Sequence, residues 1–229
     1  MESIRNPFPK SCTFSAETIG WRLDAVHPAE LLLSERYRSS RRKREFLCGR
    51  RCAQRALRQA GFPFLPVLRN EDRSPAWPLS AIGSIAHTGT CAAAIVAKPH
   101  SSIVGLGIDI ERWDRNINCG LAFRIFTERE RTRWGGGQAA ISREALTVFV
   151  IKESIFKCLY PLDRIYLGFA DAEVLSIETD SFEVTVLKSP LHRPLRMPLR
   201  LSGVLERTDS YIVAALKVSK EQIPTVLPP

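Results

Sequence analysis

The chain has 229 residues, 45% hydrophobic and 25% charged, an ordinary globular balance that excludes wholesale disorder. No apolar run approaches the roughly 18 residues of a membrane span, and Met1 to Lys10 lacks the apolar stretch of a secretory leader, so a soluble cytoplasmic protein is expected. The formal net charge of +9 calls for an anionic partner: nucleic acid, an acidic protein or a phosphorylated small molecule.

In chain order, Phe46, Leu47, Ala53, Ala56, Leu57 and Ala60 recur at helical spacing, which predicts helix over 29–60, stopped by Gly61 and Pro63. Within it lies a basic run, Arg41-Arg42-Lys43-Arg44, followed by Arg50, Arg51, Arg55 and Arg58. The Pro-rich stretch 63–80 reads as an ordered loop. A short strand over 82–87, a turn at Thr88-Gly89 and an apolar strand Cys91–Ala97 follow. Ile103–Glu111 alternates: Ile108 and Ile110 share one face, while Gly105, Gly107, Asp109 and Glu111 share the other.

Residues 112–143 are polar, with helical pieces near Ala122–Phe126 and Glu128–Trp134 and a break at Gly135-Gly136-Gly137. Glu144–Tyr160 predicts an apolar-rich helix ended by Pro161. Strands are predicted at 172–177, 182–188, 198–206 and 210–218, before a Pro-containing tail at 224–229. A helix-then-hairpin order occurs in both halves and hints at internal duplication. The six cysteines are scattered with no CxxC pair, so reduced, mostly buried thiols are expected and a zinc site is not.

Asp109 and Glu111, two apart on a strand, point the same way and repel each other, a penalty that a bound cation removes. Oxygen ligands favour Mg²⁺, Mn²⁺ or Ca²⁺ over zinc. Gly105 and Gly107 clear the same face, so a ligand or another backbone approaches there. On the later helix Glu153 and Lys157 form an i, i+4 pair flanked by Lys152, on an element otherwise apolar on most sides. Such a set can bind metal through the carboxylate while the ammonium groups meet phosphate.

Gly107-Ile108-Asp109-Ile110-Glu111, followed about forty residues on by Lys152-Glu153-Ser154-x-x-Lys157, resembles the paired motif of the 4′-phosphopantetheinyl transferases. The likeness is to the Sfp-type group (group II), in the enterobactin synthetase component D-like branch. Arg44-Glu45-Phe46, Arg50-x-Cys52-Ala53-x-x-Ala56-Leu57, Trp77-Pro78, Gly83-Ser84-Ile85-x-His87, Tyr160-Pro161-Leu162 and Leu167-Gly168-Phe169 extend it over roughly 40–220. Two positions depart from it: Ala86 stands where some members have Ser, and Phe149 where many have Trp.

The resemblance implies an α+β fold of two similar subdomains, 1–104 and 105–229, related by a pseudo-twofold axis with the active site between them. It implies Mg²⁺-dependent transfer of the phosphopantetheine arm of coenzyme A to a serine of an apo acyl or peptidyl carrier protein, releasing adenosine 3′,5′-bisphosphate. By the same carry-over Asp109, Glu111 and Glu153 hold the metal (Mn²⁺ being an alternative), and Glu153 and Lys157 are catalytic. Lys152 and Lys157 meet the pyrophosphate, and Arg42, Arg50, Arg69 and His87 bind the nucleotide end. An acidic carrier as partner, a role in secondary-metabolite or siderophore synthesis, and a monomeric state also follow. Two competing readings are a basic nucleic-acid-binding protein and an inactive carrier-protein binder. The first needs aromatic residues among the arginines, and 36–58 offers only Tyr37 and Phe46. The second leaves the intact acidic trio unexplained.

Overall fold

The computed structural model describes residues 4–21, 24–78, 80–98, 101–134, 138–189 and 198–223, with the helical backbone alone for 138–142. The predicted glycine break at 135–137 and the tail at 224–229 lie outside the described residues. The chain is mixed α and β, with five α-helices and ten strands among the described residues.

Strand β1, Cys12–Thr18, is not predicted from the sequence. Cys12, Phe14 and Ala16 alternate with Thr13, Ser15 and Glu17, and the strand pairs antiparallel along the whole of β5 (Cys91–Ala97). The helix expected over 29–60 is two helices, α1 (Pro28–Ser34) and α2 (Ser40–Gln59). Local capping explains the break. His27 Nδ1 accepts from Ala29 N–H at 3.1 Å, and Ser39 Oγ accepts from Arg42 N–H at 3.4 Å. The Pro-rich stretch contains a small hairpin, β2 (Leu68–Arg69) with β3 (Pro75–Ala76), ahead of β4 (Gly83–His87).

The second half runs β6 (Ile103–Arg112), α3 (Cys119–Ile125), α4 (Glu128–Trp134) and α5 (Gln138–Asp163). It ends with β7 (Ala172–Ile177), β8 (Ser181–Val186), β9 (Leu199–Arg207) and β10 (Tyr211–Ser219). Pro161 does not end α5 as predicted; it sits inside the final turn. A proline there removes one N–H near a terminus that is already short of partners. Arg164 then closes the helix with a left-handed backbone (φ 58°), donating its N–H to Tyr160 O at 2.8 Å.

The two main sheets have the orders β1-β5-β4 and β6-β10-β9-β8-β7, antiparallel throughout. Helix α2 packs on the first sheet through Ala92, Ala94 and Val96 of β5. Helix α5 packs on the second through Ile212, Ala214 and Leu216 of β10. The opposite faces meet each other, with Ala93 and Ile95 against Ile108, Ile110 and Val213. Small alanines along β5 let the sheets approach closely, giving a helix–sheet–sheet–helix stack. Ser84 on β4 pins the halves together by accepting from Ile108 N–H at 3.1 Å. All six cysteines are free, and every one except Cys119 is buried.

Candidate active site

The glycine-cleared face of β6 invites either a ligand or another backbone, and it is a backbone that arrives. A Cβ on Gly105 would lie 2.8 Å from Cys158 O, and one on Gly107 would overlap Ser154 O. Both oxygens belong to α5, so the glycines bring β6 and α5 close enough to bring Asp109 to Lys157. Lys157 Nζ donates to Asp109 Oδ1 at 2.6 Å. Asp109 is 6% exposed, and its Oδ2 is buried without a hydrogen-bond partner. Burial pushes the Asp109 carboxyl up, against the pull of the Lys157 ammonium.

Glu111 is raised chiefly by burial and further by the Asp109 charge, while Arg115, its ion-pair partner, opposes the rise. Glu153 is raised by burial first and then by Asp109. The three carboxylates therefore share one field. No three His, Cys, Asp or Glu side chains among the described residues gather closely enough to hold a metal by themselves; Lys157 and Arg115 are the cations that meet them. An orphaned, buried Asp109 Oδ2 and a donor set of oxygens alone suit a hard divalent cation whose remaining ligands come from substrate and water.

Beside this cluster a cavity of about 790 Å³ opens between α2, the β2–β3 hairpin and β4 on one side and the end of α5 on the other. Arg42, Arg50, Arg69, His87 and Lys157 all line it, and so does Arg73, which the sequence reading does not single out. Its acidic lining residues are Glu45 and Asp72. Glu45 is 2% exposed on its side chain and accepts from Arg41 Nε (2.8 Å) and Arg42 Nη1 (3.2 Å). Arg50 donates to Leu68 O at 3.0 Å, lies 4.5 Å over the Phe46 ring, and is lowered to about 10 by burial. Arg69 donates to the Tyr37 hydroxyl at 3.0 Å.

The His87 side chain is 35% exposed at the cavity wall. Its pKa is lowered to about 4, by desolvation first and then by Lys157, Arg42 and Arg50, so it is neutral at pH 7. Aromatic walls at Tyr37, Phe46, Trp77, Phe156, Tyr160 and Tyr166 complete the space. Cationic groups around flat apolar faces suit a phosphorylated nucleotide. Trp77 is fixed by Gly83, where a Cβ would come 2.6 Å from its ring. A second cavity of about 80 Å³ adjoins Glu153 and is walled by Phe156, Tyr166 and Phe169.

Lys152, expected at the pyrophosphate, is held among interior acceptors in the ligand-free protein and lines the small cavity beside Glu153. Its residue is 4% exposed, and Nζ donates to Ile125 O (2.9 Å), Glu130 Oε2 (2.6 Å) and Phe169 O (2.8 Å). With those acceptors met, its ammonium serves the interior, and Lys152 is absent from the lining of the large cavity. Glu130 is likewise absent from the residues the motifs point to. Its carboxylate also accepts from Thr127 N–H (2.7 Å) and Val174 N–H (2.6 Å), while Thr127 Oγ1 accepts from Glu130 N–H (3.2 Å). The Thr127-x-x-Glu130 capping box is the signal that could have found it. Asp72, 88 residues from Tyr160, leaves no signal at all.

Two family profiles match the chain: "4'-phosphopantetheinyl transferase N-terminal domain" over residues 31–97 and "4'-phosphopantetheinyl transferase superfamily" over 105–215. Among relatives, 4'-phosphopantetheinyl transferase PptT of Mycobacterium tuberculosis is 33% identical over 142 residues, 62% of this chain and 61% of that protein. Enterobactin synthase component D of Escherichia coli K12 is 35% identical over 137 residues, 59% of this chain and 63% of that protein. 4'-Phosphopantetheinyl transferase Npt of Nocardia iowensis is 30% identical over 161 residues, 70% of this chain and 71% of that protein. The chain thus spans about three fifths of the length of the first two and somewhat more of the third. With both profiles placed in chain order and a relative matched over most of its length, the chain belongs to the 4′-phosphopantetheinyl transferase family.

Proposed function

We propose that the protein transfers the 4′-phosphopantetheine arm of coenzyme A to a serine of an apo carrier protein and releases adenosine 3′,5′-bisphosphate. The observation that carries this reading is the cation-lined cavity between the two halves, which ends on Lys157 beside Asp109 and Glu153. Arg42, Arg50, Arg69 and His87 bind the nucleotide end, and the neutral imidazole offers hydrogen bonding in place of charge. Asp109, Glu111 and Glu153 would hold Mg²⁺ or Mn²⁺, which supplies charge neutralisation at the pyrophosphate oxygens.

Lys157, shared with Asp109 in the free protein, turns its ammonium to the leaving phosphate as negative charge grows there. Glu153 takes the proton of the attacking serine hydroxyl, directly or through water; burial and the Asp109 charge raise its proton affinity in the metal-free protein. The serine oxygen bonds to the phosphorus that carries the arm, and the bond from that phosphorus to the adenosine bisphosphate oxygen breaks.

The net charge of +9 favours an acidic carrier; the likeness to enterobactin synthase component D favours secondary metabolism or siderophore synthesis, by a cytoplasmic monomer. Its halves, 1–104 and 105–229, are related by a pseudo-twofold axis. The matching orders β1-β5-β4 and β6-β10-β9, each packed under one long helix, support that relation. Incubation with coenzyme A, Mg²⁺ and several apo carriers, followed by mass measurement of each carrier, tests the activity. A carrier heavier by one phosphopantetheine arm is expected, and no gain on any carrier refutes the reading. Glu153→Gln is expected to abolish the gain while leaving the thermal melt intact.

A further inference from the structure

One cluster outside those assignments joins the halves directly. The β2–β3 hairpin carries a loop over 70–74, closed by Asn70 N–H to Ser74 O (2.9 Å) and Arg73 N–H to Asn70 O (3.0 Å). Asp72 lies within it. Its Oδ1 stays inside the loop, accepting from Ser74 N–H (2.9 Å) and Ser74 Oγ–H (2.6 Å). Its Oδ2 reaches the other half, accepting from the Tyr160 hydroxyl (2.9 Å) and the Arg164 guanidinium. Arg164 also donates to Ser74 Oγ at 3.0 Å.

These donors hold the Asp72 carboxyl well below the usual range. Asp72, Ser74 and Pro75 line the large cavity from one side, and Tyr160 and Pro161 from the other, so the contact closes its rim. Arg73 (φ 72°) in the loop and Arg164 (φ 58°) at the close of α5 both take left-handed backbone, which sets the two tight turns facing each other. The side chains remain open to solvent, 27% for Asp72 and 48% for Arg164, so the contact is weak enough to open and re-form.

We propose that Asp72 is a positioning residue, latching the hairpin of the first half onto the end of α5 so that the cavity stays closed over a bound nucleotide. The proposal rests on the reading that the cavity takes coenzyme A. The latch governs retention of the nucleotide, since neither Asp72 nor Arg164 belongs to the groups assigned to the transfer step. Asp72→Asn keeps the acceptor that shapes the loop, and Arg164→Gln leaves the loop intact, so both variants probe the link between halves.

Amide hydrogen exchange of residues 68–76 without ligand is expected to quicken about fivefold in either variant, the scale of one solvent-exposed charge pair. Coenzyme A is expected to dissociate about fivefold faster and its KM to rise in step. The kcat of Arg164→Gln at saturating coenzyme A stays within about twofold of wild type. The double variant is expected to be no worse than either single one, and Asp72→Glu to recover part of the loss. Wild-type exchange and dissociation rates in both variants overturn the latch. Faster hairpin exchange in the variants of a protein that binds no coenzyme A supports the latch and overturns the coenzyme reading instead.

Discussion

Lys152 offers the sharpest test of the structure against the motif, because the two assign it different work. Lys152→Met keeps the length and apolar stem of the side chain while removing the ammonium. The structure then leaves Ile125 O and Phe169 O without their donor and Glu130 as a buried anion with only the Thr127 and Val174 amides. Both side chains of the pair are almost wholly buried, at 2% and 1% exposed. Breaking such a pair from one side costs about 3–5 kcal/mol. In a chain of this size that lowers Tm by roughly 6–20 °C. Urea and thermal unfolding read the loss, and transfer kinetics below the melt read the function. Glu130→Gln in the Lys152→Met background should recover part of the stability, since it removes the stranded charge. A Lys152→Met protein with wild-type stability and a raised KM for coenzyme A would refute the reasoning and return the ammonium to the pyrophosphate.

Three further outcomes are expected. Gly107→Ala sets a methyl against Ser154 O and Cys158, so the β6–α5 contact must part, and the variant should lose several kcal/mol of stability in urea titrations; an unchanged midpoint would contradict that packing. Arg50→Ala should raise the KM for coenzyme A about tenfold or more by removing a charged donor from the cavity, whereas selective loss of carrier binding would reassign the residue to docking. His87, held near 4 when folded against an ordinary 6.5, takes up its proton in the unfolded chain first. Wild-type stability should therefore fall as pH drops from about 6.5 toward 4. His87→Gln should flatten that part of the pH profile, and an unchanged slope would count against the depressed imidazole.

Much of the architecture is legible residue by residue. The alternation of Ile103–Glu111 reads directly as β6, and the apolar period of 144–160 as the body of α5. The strand from Cys91 and the strand from Tyr211 are legible for the same reason: continuous apolar runs bounded by turn residues. β1 is legible too: Cys12, Phe14 and Ala16 alternate strictly with Thr13, Ser15 and Glu17, a strand period that the sequence reading passes over, while its partner β5 lies far along the chain. Pro161 misleads, since a helix tolerates proline where its own hydrogen bonds are already running out.

The sequence by itself determined the acidic residues on β6, the Glu153–Lys157 pair one turn apart, and the family they belong to, because strand and helix periods convert spacing into a shared face without knowledge of the rest of the molecule. Only the tertiary structure decided which cation each carboxylate meets. Lys157 crosses to Asp109 while Lys152, five positions earlier, turns inward to Glu130. Neighbouring helix positions point about 100° apart, so which of two lysines faces the large cavity depends on how the helix is rotated against its sheet. That rotation is set by Gly105 and Gly107 against the backbone of α5, a contact between segments some fifty residues apart that no local pattern records.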